Sequence, residues 1–294
     1  MSRTLSTYLF VQRKLNSAVI ESAARAGFDA IELFCEAGHF DYRSAADAHE
    51  LAGWLEAHQV ALHSVHAPVH RDLAPSREGG SPLSISEPER VRRAEAVDEI
   101  KRALDLAEQV PYQILVQHVG GSREPDDPRH WDAAFNSLEH LALFAKERGV
   151  TIALENTPGE LATPANLRRF VDQTRLTDLR FCFDAGHAHI GDGIAASLEP
   201  MRPLIVTTHL HDNHGDKDEH LVPYQGTVDW PAAIKGLPAG AHLVMELRAP
   251  AASGPAAAKG ESRAGGGAES TDAAVLDAAR DAFKRLEKEL PARA

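Results

Sequence analysis

Short apolar runs alternate with longer amphipathic stretches along almost the whole chain. The runs Leu5–Phe10, Ala30–Phe34, Val60–Val65, Gln113–Gln117, Thr151–Leu154, Leu179–Phe183, Leu204–His209 and His242–Met245 have the length and side chains of buried strands. Helical patterns fill the gaps: Ser17–Ala26, Ala45–His58, Glu87–Gln109, Trp131–Arg148, Pro164–Gln173, Ile194–Glu199, Pro231–Lys235 and, last, Asp272–Leu290. Strict alternation predicts a parallel sheet, because every parallel return needs a crossover. Eight such repeats predict an α/β fold of the (β/α)8 TIM-barrel type, one domain over residues 1–294. Phe10-Val-Gln-Arg13 follows the first strand where a glycine-rich fingerprint would stand, which argues against an open dinucleotide-binding sheet.

Two segments break the pattern. Arg71–Ser86 is a long Pro/Gly/Ser-containing loop after the third strand, on the side where barrel loops build sites. Ala249–Thr271 is low in complexity and is expected to be a flexible insertion before the last helix. Composition is ordinary for a globular protein, 43% apolar and 25% charged over 294 residues. A net charge of −12 gives no long-range attraction to nucleic acid or anionic lipid. Two cysteines, Cys35 and Cys182, sit in apolar runs and cannot form a disulfide framework. With no signal-like start and no membrane-length apolar stretch, a soluble cytoplasmic protein is expected.

The chemistry lies at the strand ends. His66, His118, Glu155, Asp184, His209 and Glu246 close the third through eighth strands in turn, and a parallel barrel opens all strand C-termini onto one face. Carboxylates gathered there would repel one another unless a cation sat among them, so a divalent metal site is expected. Glu155, Asp184, His209 and Glu246 supply three oxygens and one nitrogen, a set suited to Mn²⁺, Mg²⁺, Co²⁺ or Zn²⁺. His187, Asp218 and His220 on the following loops permit further metal ions or bind substrate, while His211 and Asp212 stand ready to orient the ligands. His63 reads as structural.

Ser64-Val-His-Ala-Pro68, Gln117-His-Val-Gly-Gly121, Ala153-Leu-Glu-Asn-Thr157, Cys182-Phe-Asp-Ala-Gly-His187 and His209-Leu-His-Asp212 resemble successive motifs of the xylose isomerase-like TIM barrels. That superfamily holds sugar (phosphate) isomerases and epimerases as well as endonuclease IV-type AP endonucleases. For the first branch the resemblance implies one divalent metal on Glu155, Asp184, His209 and Glu246, with the two glutamates exchanging a substrate proton. For the second it implies three zinc ions held by those four residues together with His66, His118, His187, Asp218 and His220.

Isomerisation next to a carbonyl needs a base, an acid and a charge to stabilise an enediolate. Glu155 and Glu246 suit the first two roles, and His66 and His118 would bind hydroxyls. The nuclease alternative needs a surface for DNA. Here the site-side loops carry Glu36, Asp41, Asp72, Glu78, Asp216, Asp218 and Glu219, while Arg43, Arg71, Arg77 and Arg123 form no track. A small sugar or sugar phosphate is therefore the expected substrate, with nucleic acid disfavoured.

Overall fold

Ser6 ends the first strand early. Its hydroxyl accepts the Tyr8 amide at 3.4 Å and turns the chain into a 3₁₀ helix over Thr7–Phe10. β1 is thus Thr4–Ser6, not the longer Leu5–Phe10 run the pattern predicts. The computed structural model describes residues 2–71, 82–249 and 266–290. The remaining strands are β2 (Ala30–Phe34), β3 (Ala61–His66), β4 (Ile114–His118), β5 (Thr151–Glu155), β6 (Arg180–Asp184), β7 (Ile205–Leu210) and β8 (His242–Met245). They form a closed barrel in chain order, all pairs parallel, with β1 paired to β8 through Thr4↔Val244 and Leu5↔Met245. This is the (β/α)8 TIM barrel that the alternation predicts.

Between the strands run α1 (Ser17–Arg25), α2 (Ala45–His58), α3 (Arg90–Asp105), α4 (Pro128–Glu147), α5 (Pro164–Thr174), α6 (Ala185–Ile190), α7 (Ile194–Met201), α8 (Trp230–Gly236) and α9 (Gly266–Glu289). Side-chain caps set several starts. Asn16 Oδ1 accepts the Val19 amide, Ser44 Oγ the Asp47 amide and Thr163 Oγ1 the Asn166 amide. α4 begins before the expected Trp131, because Asp127 takes the Arg129 and His130 amides and Pro128 fits the first turn. The short α6 was not predicted from the sequence; it exists because Asp184 caps it. α9 starts at Gly266, earlier than the expected Asp272. Residues 72–81 of the loop after β3, and 250–265 of the low-complexity segment, lie outside the described residues.

The outward faces of the strands, with Leu33, Val65, Leu115, Leu154, Phe183 and Leu243, pack under the helices as the main core. Inside the barrel Ile114, Val116, Ala153 and Cys182 form a small apolar plug. Below it, His63 and His242 stack with ring centroids 3.4 Å apart, and His242 Nε2 lies 2.6 Å from Thr4 Oγ1. His63 reaches that place through a β-bulge: Ile31 pairs with Leu62 but Glu32 with Ser64, so His63 is skipped in the ladder. Above the plug, the inward side chains turn polar.

Candidate metal centre

β3, β4, β5 and β6 end on His66, His118, Glu155 and Asp184; His209 is the penultimate residue of β7, and Glu246 directly follows β8. Closure of the barrel brings all of them together at one mouth. Glu155, Asp184, His209 and Glu246 are buried, and one ligand atom of each falls within 4.8 Å of the others. His209 Nδ1 marks the meeting point, 3.3 Å from Glu155 Oε1, 3.7 Å from Glu246 Oε2 and 3.8 Å from Asp184 Oδ2.

Two further donor groups adjoin this one. His66 shares Glu155 and His209 with it, its Nε2 lying 3.4 Å from Glu155 Oε2; His118 Nε2 approaches the same oxygen at 3.2 Å. His187, His211, Asp218 and His220 make the other group, with Asp218 Oδ2 3.0 Å from His220 Nε2 and 3.6 Å from His187 Nε2. All residues singled out in the sequence except Asp212 thus stand in or beside these groups.

The imidazoles are aimed by hydrogen bonds on their far side. His66 Nδ1 donates to the Ala67 carbonyl at 2.8 Å, His187 Nδ1 to that of Asn156 at 2.9 Å and His220 Nδ1 to that of Glu246 at 3.0 Å. A carbonyl only accepts, so these Nδ1 atoms carry protons, and each ring turns its Nε2 toward the carboxylates.

Local sequence explains the loop after β6. Asp184 Oδ1 accepts the His187 amide, which starts α6 and swings His187 back over the strand end. Asn156 ties β5 to β6 by exchanging two hydrogen bonds with the Asp184 backbone, at 2.8 and 2.9 Å. Gly186 is required between them: a Cβ there would sit 2.0 Å from Cε1 of the His211 ring.

Asp212 is buried, and its carboxylate is occupied by the loop after β7. It accepts the amides of Asn213, Tyr224 and Val228 and the Trp230 indole N–H at 2.7–3.1 Å. That loop carries Asp218 and His220, so Asp212 shapes the donor group without being part of it.

The carboxylates are not equivalent. Burial pushes Glu155 up, but His209 and His118 outweigh it, holding its carboxyl well below the usual range. Asp184 is likewise lowered, with His187 and His211 overcoming burial. Glu246 goes the other way, raised by burial more than His209 and His220 can offset. His209 Nδ1, His211 Nδ1 and Asp218 Oδ1 are buried without a hydrogen-bond partner. Each such atom costs about 1–3 kcal/mol. A divalent cation among the donor atoms would answer to His209 Nδ1, and the mixed carboxylate–imidazole set fits Mn²⁺, Mg²⁺, Co²⁺ or Zn²⁺.

The groups open into a cavity of about 210 Å³ lined by Tyr8, Phe34, His66, His118, Glu155 and Glu246, with His187, Asp218 and His220 on one side. Sequence reasoning did not find Glu32, Asn156 or Ser64. Glu32 carried a signal, an acid in the middle of the apolar run Ala30–Phe34; it is fully buried beside His209. Asn156 and Ser64 carried none beyond their place in motifs.

Residues 20–284 match the family model described as Xylose isomerase-like TIM barrel, and the chain belongs to that family. An uncharacterized protein of Methanocaldococcus jannaschii is 30% identical over 248 residues, covering 79% of this chain and 78% of its own. Among solved structures, a D-tagatose 3-epimerase-like protein superposes with a TM-score of 0.72 at 23% identity, covering 98% of this chain and 99% of its own. The IOLI protein with a bound zinc atom superposes with a TM-score of 0.73 at 17% identity, covering 100% of both chains. These likenesses are in the fold.

Proposed function

We propose that this protein is a divalent-metal-dependent isomerase or epimerase of a sugar or sugar phosphate. The observation that carries the reading is the convergence of Glu155 and Glu246, from β5 and the end of β8, on His209 Nδ1 while both line one cavity. Two carboxylates flanking a bound substrate can exchange a carbon-bound proton between its faces. A divalent ion held by Glu155, Asp184, His209 and Glu246 would supply the charge that stabilises an enediolate. In that arrangement Glu155 removes the proton next to the carbonyl and Glu246 returns one. His66 and His118 present Nε2–side contacts to substrate hydroxyls, and Tyr8 and Phe34 wall the cavity against water. The cavity volume of about 210 Å³ suits a small polyol. The sugar-epimerase-like and zinc-bound relatives in fold agree with this reading.

A second reading is favoured by one observation, the adjoining donor groups around His66 and around His187, His211, Asp218 and His220. Three zinc ions there would serve an endonuclease IV-type phosphodiesterase. The test is deuterium incorporation from solvent into a panel of ketoses and ketose phosphates by Mn²⁺-, Co²⁺-, Mg²⁺- or Zn²⁺-loaded protein. Cleavage of an abasic-site oligonucleotide is run beside it, with metal content measured by mass spectrometry. Exchange into a sugar with near one equivalent of metal supports the isomerase. Cleavage without exchange, at near three equivalents of zinc, replaces it with the nuclease.

A further inference from the structure

His209 is held differently from its neighbours. His66, His187 and His220 each give their Nδ1 proton to a backbone carbonyl. His209 instead directs Nε2 at a carboxylate, lying 3.1 and 3.2 Å from the two oxygens of Glu32. Both side chains are fully buried. Glu32 is itself fixed by Ser64, whose hydroxyl donates to Oε2 at 2.8 Å, and the bulge at Ile31/Glu32 is what sets Ser64 opposite it. A carboxylate buried under a barrel mouth is far more costly to desolvate than an apolar residue at the same place.

We infer that Glu32 is a positioning residue: it takes the Nε2 proton of His209, fixes the ring with Nδ1 toward Glu155, Asp184 and Glu246, and strengthens His209 as a metal ligand. The inference rests on the metal reading above and adds to it the residue that sets which nitrogen binds. Three observations carry it. Nδ1 of His209 is buried and unpartnered at the centre of the donor group, so it is the free nitrogen. Nε2 has a carboxylate in reach, and a carboxylate can only accept there, which protonates Nε2 and leaves the lone pair on Nδ1. The Ser64 hydroxyl spends its proton on Glu32, which holds the carboxylate in register with the ring. An anionic acceptor polarises an imidazole more than a carbonyl does, so Glu32 makes His209 a stronger nitrogen donor than a backbone carbonyl at the same place would.

The test is metal titration with Co²⁺ and Zn²⁺ of wild type, Glu32→Gln and Glu32→Leu, with ¹⁵N signals of His209 followed in the zinc-loaded protein. Wild type should show Nε2 protonated and Nδ1 on the metal. Glu32→Gln keeps an acceptor and the tautomer but loses the charge, and should weaken binding roughly 10–100-fold. Glu32→Leu should weaken it further and mix the two ring orientations. If Glu32→Leu does not fold, Glu32→Gln and the wild-type spectrum decide the matter. Wild type bound through Nε2, or variants that bind as tightly as wild type, would overturn the inference and leave the metal reading standing. Wild type that takes up neither metal would overturn both.

Discussion

Asp184 accepts the His187 amide on Oδ1 at 2.6 Å while its Oδ2 lies 3.1 Å from His211 Nε2. One carboxylate therefore starts a helix and faces the donor groups at the same time. The two tasks are separable. Asn is as good an N-cap as Asp but carries no charge. Asp184→Asn should keep the melting temperature within a few degrees of wild type and lose most of the metal affinity. Asp184→Ala should lose the affinity and, in addition, about 1 kcal/mol of stability from the cap. Thermal melts of the metal-free proteins beside Mn²⁺ titrations separate the outcomes; equal melting of the two variants would remove the capping role.

Glu155→Gln and Glu246→Gln each retain a carbonyl oxygen near His209 but cannot carry a proton at neutral pH. Either change should lower solvent-exchange rates by about 10²–10⁴ with the protein saturated in Mn²⁺. His187→Ala and Asp218→Ala belong to the adjoining group and should reduce a single-metal isomerase much less. Single-turnover exchange at saturating metal checks this, and similar losses in all four variants would point to the multi-zinc arrangement.

Metal should also be a folding ligand. The donors come from separate strands and gather only in the closed barrel, so an ion binds the folded chain and hardly the unfolded one. At a free concentration 100 times the dissociation constant the gain is about 2.7 kcal/mol. The melting temperature should rise with Mn²⁺ or Zn²⁺ concentration and fall back when a chelator is added. A flat response in differential scanning calorimetry would contradict it.

The barrel floor gives a pH dependence of its own. Burial, with the stacked His63 ring beside it, lowers His242 from 6.5 to about 4, and burial lowers His63 as well. Both are therefore neutral in the folded chain where the unfolded chain is protonated. The stability they contribute is full above pH 6.5 and is lost as the pH falls through about 4, because the unfolded state binds more protons across that window. His242→Gln should melt with a shallower loss between pH 6.5 and 4 than wild type. Parallel melting curves for the two proteins would exclude the pair as the source.

Much of this was legible in the chain because the barrel converts position in a strand into position in space. An acid or histidine closing an apolar run is visible in one dimension, and the topology sends all such ends to one face. Glu155, Asp184, His209 and Glu246 are singled out that way, and the barrel gathers them at one mouth. Glu32 escaped because it sits in mid-strand, where its contact with His209 depends on a bulge and on Ser64 of the next strand, neither of which a single run records. Asp212 looked like a partner of the ligands by proximity in sequence. Its four hydrogen bonds to residues up to 18 positions away hold the loop that carries Asp218 and His220. The first strand was overestimated because Ser6 capping a 3₁₀ helix is a local competition that hydrophobicity does not report.

The pairing of β1 with β8 has a bearing on how the chain assembles. Glu246 follows the strand that closes the ring, whereas Glu155, Asp184 and His209 all precede it. A chain halted before its final strand docks holds an incomplete donor set and an uncovered barrel edge together. In the proposed metalloenzyme, capture of the ion would then act as a checkpoint on ring closure, rewarding the finished circuit and none of its partial arcs.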